Sequence, residues 1–395
     1  MTSAIPLLLT LGIAVCGTSL VYLVAALGAI AMRSARPPVL SDFRPPITVL
    51  KPVCGLEPSL YDNLRSFCDQ DYPVFQVLFG VRDADDPAVH IVKRLMRECP
   101  GRDLGLVVDG RIIGTNYKIS NLANMLGAAK HDIVVIADSD ARVEEDCLAA
   151  VAASFEDRSV GAVTCLYRGV PVGGMPSTLG AMFINDWLAP SVLVGLSLQK
   201  LSFCLGALMA VRRGALEAIG GLDSLASYLA DDFMLGHLVA RRGLGVALSS
   251  YVVENRVHEP SFRQMIEHEL RWARTMRTVR PAGYFLSFLT DALPLAVLVT
   301  AVAAFLEMGL HLPERPFDFD AVGLGIAVAA LTLRIRLHYA VRPVLGIEGP
   351  VAPWLLPVRD LLSFAIRAAS FIGRGVSWRG HRFAVQPDGT LHARS

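Results

Sequence analysis

The sequence predicts an α/β domain, a parallel sheet covered by helices on both faces, carried by a chain anchored in a membrane. Three observations carry this. Ile47 to Leu50, Phe75 to Val81, Leu104 to Val108 and Ile133 to Ala137 are short apolar runs that alternate with segments of helical periodicity, as buried parallel strands do. The second and fourth runs both end in acids, Asp83-Ala84-Asp85-Asp86 and Asp138-Ser139-Asp140, at what would be one edge of the sheet. Finally, 53% of the 395 residues are hydrophobic and only 18% are charged, against about 25% charged in an ordinary soluble domain.

Composition also excludes some partners. The net charge is +1, without the clustered basic excess that a nucleic-acid partner requires. The 7 cysteines are odd in number and show no CxxC pair or zinc-like spacing, so the catalytic region reads as reduced and cytosolic.

Taken in order, Ile5 to Met32 holds no charge, is long enough to span a bilayer and is followed by Arg33 and Arg36. It lacks the basic start of a cleaved leader, so residues 1–36 read as a retained transmembrane anchor with its C-terminal end in the cytoplasm. Pro37 to Pro46 is a linker into a domain expected over 37–282. Its helices are Glu57 to Cys68, Pro87 to Glu98 and Tyr117 to Ala129, followed by a strand over Val160 to Leu166. Met175 to Leu198 is apolar but broken by Pro176, Asp186 and Pro190, which fits an in-plane amphipathic segment and a core helix equally. Phe203 to Val211 is a strand, and Tyr228-Leu229-Ala230-Asp231-Asp232-Phe233 opens a helix running to about Arg242. Ser261 to Thr278 is a basic helix that carries His268-Glu269-Leu270-Arg271-Trp272.

Two further spans, Gly283 to Leu306 and Val322 to Val341, are expected over 283–345, with the acidic loop Glu307 to Asp320 outside. In 346–395, Val351 to Ile372 contains Arg359, Asp360 and Arg367, so it reads as an interfacial or re-entrant segment before a cytosolic basic tail from Arg374. No internal repeat or low-complexity tract is present.

Ligands of open α/β sheets sit at the carboxyl ends of strands. Two carboxylates there, Asp138 and Asp140, suit Mg2+ or Mn2+, ions that commonly share their shell with substrate phosphates. The plainer alternative is a polar turn capping the next helix. Gly114-Thr115-Asn116-Tyr117-Lys118 leads into a helix whose free N–H groups and lysine favour an anion, although a solvated lysine at a helix start is equally ordinary. Asp231 and Asp232 are either functional carboxylates or acids made favourable by the helix dipole. Arg271 and Trp272 belong either to a face drawn to anionic lipid or to a clamp for a diphosphate or an acceptor.

With these pieces placed, the chain resembles the ceramide glucosyltransferase family, glycosyltransferase family 21. The resemblance rests on the order of Leu50-Lys51-Pro52, Asp71-Tyr72-Pro73, Asp85-Asp86-Pro87-Ala88, Gly114 to Lys118, Asp138-Ser139, Ala230-Asp231-Asp232-Phe233, Arg271-Trp272, and Ser377-Trp378-Arg379 with Arg382. It implies a GT-A (Rossmann-like) fold, a UDP-sugar donor and a membrane-lipid acceptor at the cytosolic surface of the bilayer. Asp86, Asp138 and Asp232 match the family's first, second and third aspartates, and Arg271-Trp272 the end of its (Q/R)xxRW motif. Two positions depart from the pattern: His268 opens that motif, and Asp140 stands where animal ceramide enzymes have glycine, giving a full DxD.

Carried over, Asp83, Asp86, Asn116, Lys118 and Asp138 would bind the donor, and Asp138 and Asp140 the metal. Asp232 would be the base of an inverting transfer, with His268, Arg271 and Trp272 serving the diphosphate or acceptor. The wording is nearest to the bacterial branch associated with hopanoid biosynthesis. That implies a hopanoid polyol acceptor, UDP-N-acetylglucosamine or UDP-glucose as donor, and a bacterial inner membrane. A ceramide glucosyltransferase, a processive polysaccharide synthase and a non-catalytic UDP-sugar sensor are the alternatives.

Overall fold

The computed structural model describes residues 4–35, 41–310, 319–373, 375–378, 381–386 and 388–393. The chain divides into a helical unit, built from Met1–Arg36, Asn185–Ser197 and Ile266–Arg374, and an α/β unit, built from Pro37–Ile184, Leu198–Met265 and Gly375–Ser395. These limits differ from the expected domain over 37–282. Residues 185–197 and 266–282 group with the apolar helices, and the tail from 375 returns to the α/β unit, where it bonds to residues 227–229.

After α1 (Ala4–Ser34) come β1 (Ile47–Pro52), α2 (Leu60–Cys68), β2 (Phe75–Val81), α3 (Ala88–Glu98), β3 (Asp103–Val108), α4 (Tyr117–Leu126) and β4 (Ile133–Ala137). Ile47 of β1 lies opposite both Phe75 and Ile133, so β2, β1 and β4 run parallel, with β3 parallel beyond β2. Every residue of β2 and β4 is buried, as expected of strands covered on both faces. Because the two strands are parallel, the acids that follow them stand at one sheet edge.

The second half of the sheet departs from expectation. Next come β5 (Ala141–Arg142), α5 (Cys147–Ala153), β6 (Val160–Pro171), α6 (Met175–Phe183), α7 (Ala189–Leu198), β7 (Leu208–Arg212), α8 (Arg213–Ala218), α9 (Asp231–Arg241) and β8 (Gly245–Val257). The eight strands are ordered β3-β2-β1-β4-β7-β6-β8-β5. β7 is antiparallel to both β4 and β6, and β5 is antiparallel to β8. The sheet is therefore mixed, and parallel throughout only in its first half. β8 escapes a sequence reading because most of its residues are half-buried and it includes Ser249, Ser250, Glu254, Asn255 and Arg256, so neither alternation nor an apolar run marks it.

The helical unit continues with α10 (Phe262–Val279), α11 (Pro281–Leu286), α12 (Ala292–Leu310), α13 (Phe319–Leu345) and α14 (Leu356–Ser370), before β9 (Gly375–Trp378), β10 (His381–Val385) and β11 (Leu391–Ala393). Among the described residues, Thr10–Ser34, Met175–Leu198 and Ala321–Leu345 are long and apolar enough to cross a membrane. The span expected over Gly283 to Leu306 is not one straight helix. Pro281–Thr290 and Ala292–Phe305 meet at 69°, since Ser287–Thr290 tightens into a 3-10 turn and Asp291 leaves helical geometry. Asp291 is held there by Arg367 at 3.3 Å. Residues 311–318 of the expected acidic loop, Arg36 of the anchor, Pro37 to Leu40 of the linker, and Arg374 and Arg379 of the tail lie outside the described residues.

The charges of α14 explain why it is no ordinary span. Arg359 forms a two-pronged pair with Glu269 of α10, both contacts at 2.7 Å, while Asp360 pairs with Arg334 of α13 at 2.6 Å. The Arg359 and Glu269 side chains are only 2% and 5% exposed, so each depends on the other for neutralisation. Arg359→Met leaves a buried carboxylate unpaired and is expected to cost about 3–5 kcal/mol. Combining it with Glu269→Leu should recover most of that loss, read as unfolding midpoints of the full chain in detergent.

Candidate active site

The turn after β4 is held from beneath. Lys51, at the end of β1 and fully buried, donates from Nζ to the carbonyls of Asp138 at 2.6 Å and Ala141 at 3.1 Å. Burial pulls its pKa down to about 7, opposed by Asp140, Asp138 and Glu57. Ser139 Oγ donates to Glu57 at 2.7 Å, and Asn63 Nδ2 to the Ser139 carbonyl at 3.2 Å. With its backbone tied down on three sides, the turn fixes the positions from which the Asp138 and Asp140 side chains extend.

Asp140 is raised to about 7, first by burial and then by Asp138 and Glu57. Asn255 hydrogen-bonds to the carboxylate, but Oδ1 of Asp140 is buried and finds no hydrogen-bond partner among the described residues. Among the described residues, no three His, Cys, Asp or Glu side chains gather into a metal cage. A pair of carboxylates with one buried, unpartnered oxygen nevertheless fits a hard divalent ion that completes its shell with water and phosphate. Asp138 and Asp140 are the residues that would hold it.

Asn116 and Lys118 open α4. Asn116 Oδ1 accepts from the amides of Lys118 and Ile119, and Nδ2 donates to the Tyr228 carbonyl at 2.8 Å and to Asp231 at 3.3 Å. Its side chain is thus committed within the protein. Gly114 allows this approach, since a Cβ there would collide with the Ala226 carbonyl. Lys118 Nζ sits 2.6 Å from Asp138 and 3.4 Å from Asp231. Burial alone would lower its pKa, but Asp138, Asp231 and Asp232 outweigh burial and keep it protonated.

Asp231 and Asp232 form the first turn of α9. Asp232 Oδ1 accepts from the Phe233 amide at 2.7 Å, and Oδ2 faces Gly206. Burial, reinforced by Asp231, raises Asp232 to about 7; Lys118 opposes the rise, and Asp138 adds to it. Gly236, one turn further along, packs so closely on the Phe203 backbone that a Cβ would overlap it.

The remaining expected residues fall elsewhere. Asp83 is exposed beyond β2. Asp86 caps α3 by accepting from the Ala88 amide at 2.8 Å, and both of its oxygens lie 3.0 Å from the Gly55 amide. His268 and Trp272 touch on α10 with ring centroids 4.4 Å apart; they and Arg271 belong to the helical unit. The sequence assigns no role to Lys51, Glu57 or Asn63, and does not show that Asp231 pairs with Lys118. A lysine closing an otherwise buried apolar strand was the available signal for the first of these.

A sheet of this order, with carboxylates following β2 and β4 and opening α9, has the GT-A fold. The mannosyltransferase PcManGT from Pyrobaculum calidifontis, solved in complex with GDP-Man and Mn2+, shares this fold. It has a TM-score of 0.57 and 23% identity, and the match covers 85% of this chain and 99% of that one. The model described as Glycosyl transferase family 21 matches residues 11–391, and the chain belongs to that family. Ceramide glucosyltransferase 3 of Caenorhabditis elegans is 25% identical over 256 residues, 65% of this chain and 56% of that protein. Ceramide glucosyltransferase of Komagataella phaffii is 35% identical over 104 residues, 24% of this chain and 19% of that protein. The chain thus spans little more than half the length of the nematode relative, and less of the yeast one.

The raised Asp232 carboxyl has a consequence for stability. Between about pH 4, where an unfolded aspartate ionises, and pH 7, the folded chain keeps a proton that the unfolded chain has released. Asp232 therefore makes stability fall with rising pH in that window. The stability gained by Asp232→Asn over the wild type should grow from about pH 4 to about pH 7 and then level off, as measured by unfolding midpoints in a chelator across pH.

Proposed function

We propose that the protein is a membrane-anchored, inverting glycosyltransferase that moves one hexose from a UDP-sugar to a hydroxyl of a membrane lipid. The observation that carries this reading is Asp232, a buried carboxyl titrating near neutrality in a site it shares with Lys118 and Asp138. A base poised close to the working pH suits proton removal from an alcohol. Asp232 takes the proton of the acceptor hydroxyl as its oxygen attacks the anomeric carbon, and the bond to the UDP oxygen breaks. Lys118 keeps positive charge beside Asp138 and Asp231, limiting their repulsion at a site that receives an anionic donor. Mg2+ or Mn2+, held by Asp138 and Asp140, would offset charge on the departing diphosphate. Asp83, beyond β2, is assigned to the uridine, and Asp86 shapes the same loop by holding Gly55 and α3.

A hopanoid polyol is the acceptor this reading favours, with UDP-N-acetylglucosamine or UDP-glucose as donor and the α/β unit in the cytosol. The relatives' names support ceramide as the competing acceptor. The test incubates the full chain in detergent with Mg2+ or Mn2+, each UDP-sugar, and either lipid, following UDP release and lipid mass together. A gain of one sugar on one lipid supports the reading. A ladder of products would indicate a processive synthase, and donor binding without turnover a sensor.

Asp232→Asn should retain UDP-sugar binding and lose transfer by about 10²- to 10⁴-fold. Wild-type turnover should rise with pH as Asp232 ionises and level off above about 7, because only the carboxylate can accept the proton. Chelation should remove turnover and divalent ions restore it. Asp140→Asn should raise the metal concentration needed for half-maximal rate.

A further inference from the structure

Residues 226–230, between the 3-10 turn Leu222–Leu225 and α9, form no regular element beyond one bridge, yet their backbone is gripped from two sides. On one side, the Asn116 amide donates to the Ala226 carbonyl at 2.8 Å, and Asn116 Nδ2 to the Tyr228 carbonyl at 2.8 Å. On the other lies the three-stranded sheet β11-β10-β9. Leu391 donates from its amide to the Ser227 carbonyl at 2.8 Å, and Leu229 to the Gly389 carbonyl at 3.4 Å. Tyr228 and Thr390 pair as an isolated antiparallel bridge. Leu229 is 6% exposed and packs with Val376, Phe383, Val385 and Leu391 in a cluster separate from the two larger cores of the α/β unit.

Immediately after this segment the chain enters α9 at Asp231 and Asp232. A short irregular segment has many backbone states available, and holding one of them costs about 1–2 kcal/mol per residue. Here the tail strands and Asn116 supply that hold. Asn116 also reaches Asp231, so the grip extends to the residue before the base.

We propose that the C-terminal three-stranded sheet is a positioning element for the base: through Leu229 and Leu391 it fixes the segment that delivers Asp232 into the site. This rests on the role assigned to Asp232 above. A sheet that merely covered apolar surface would change the folded fraction while leaving turnover per folded molecule alone. A positioning sheet changes turnover itself, because small displacements of a reacting group are costly.

Leu229→Ala in the full chain should lower kcat per folded molecule by about 10- to 100-fold. It should leave KM for the UDP-sugar unchanged and displace the acidic limb of the pH–rate profile. Leu229→Met, which refills the cluster, should restore all three, and Leu391→Ala should reproduce the defect from the tail side. Should Leu229→Ala fail to fold, Leu391→Ala carries the test. Wild-type kcat with an unmoved acidic limb in either folded alanine variant overturns the proposal, as does a loss confined to donor KM. Absence of transfer by the wild type with every lipid acceptor instead overturns the function on which the proposal rests.

Discussion

The Lys118 ammonium lies between two acids delivered by different elements, Asp138 from the end of β4 and Asp231 from the start of α9, at 2.6 and 3.4 Å. The rest of the site depends on this contact. Without a buried cation, Asp138, Asp231 and Asp232 would repel one another in a poorly solvated space, and some would have to take up protons. Asp138 is the proposed attachment for donor chemistry, and Asp232 the proposed proton acceptor. One lysine thus couples the two while leaving Asp232 near neutrality rather than fixed as an anion.

The supports under these acids are mostly backbone contacts. Lys51 reaches two carbonyls of the Asp138 turn, Asn116 caps α4 and holds the segment before α9, and glycines 114 and 236 admit main chain where a side chain would collide. Buried polar groups of this kind cost free energy unless they are satisfied. Each of these side chains finds its partners at a turn or a helix start, where unpaired backbone groups are available. The same arithmetic governs the helical unit: Arg359 and Arg334 each pair with an acid from another helix, and Arg367 with Asp291 at the break before α12. A helix carrying such charges, α14, is held by partners rather than by apolar length.

The elements legible in the sequence were those marked by a continuous apolar run or by an apolar stripe at helical spacing. β1 to β4, the helices between them and α9 were read nearly to their limits, since a continuous apolar run or a stripe at helical spacing is a local record of a global environment. β8 was missed because its residues are half-buried and mixed in polarity. The span over Gly283 to Leu306 was read as one helix because hydropathy registers length and not direction; at the bend Asp291 pairs with Arg367, far away in the chain.

The acids of the site were visible for a similar reason. Asp138, Asp140 and Asp232 follow strands or open helices, positions where a carboxylate breaks the surrounding pattern. By itself, the sequence determined the sheet-forming segments, the edge at which two acidic clusters gather, the apolar helices and the family resemblance, all properties written in short windows of chain. Only the tertiary structure decided that Lys118 joins Asp138 to Asp231, that Lys51 lies beneath the turn from Asp138 to Asp140, that Asn116 is spent on contacts within the protein, and that the last strands return to grip the segment before Asp232. Those outcomes pair residues distant in sequence, and no local pattern specifies which buried charge will meet which.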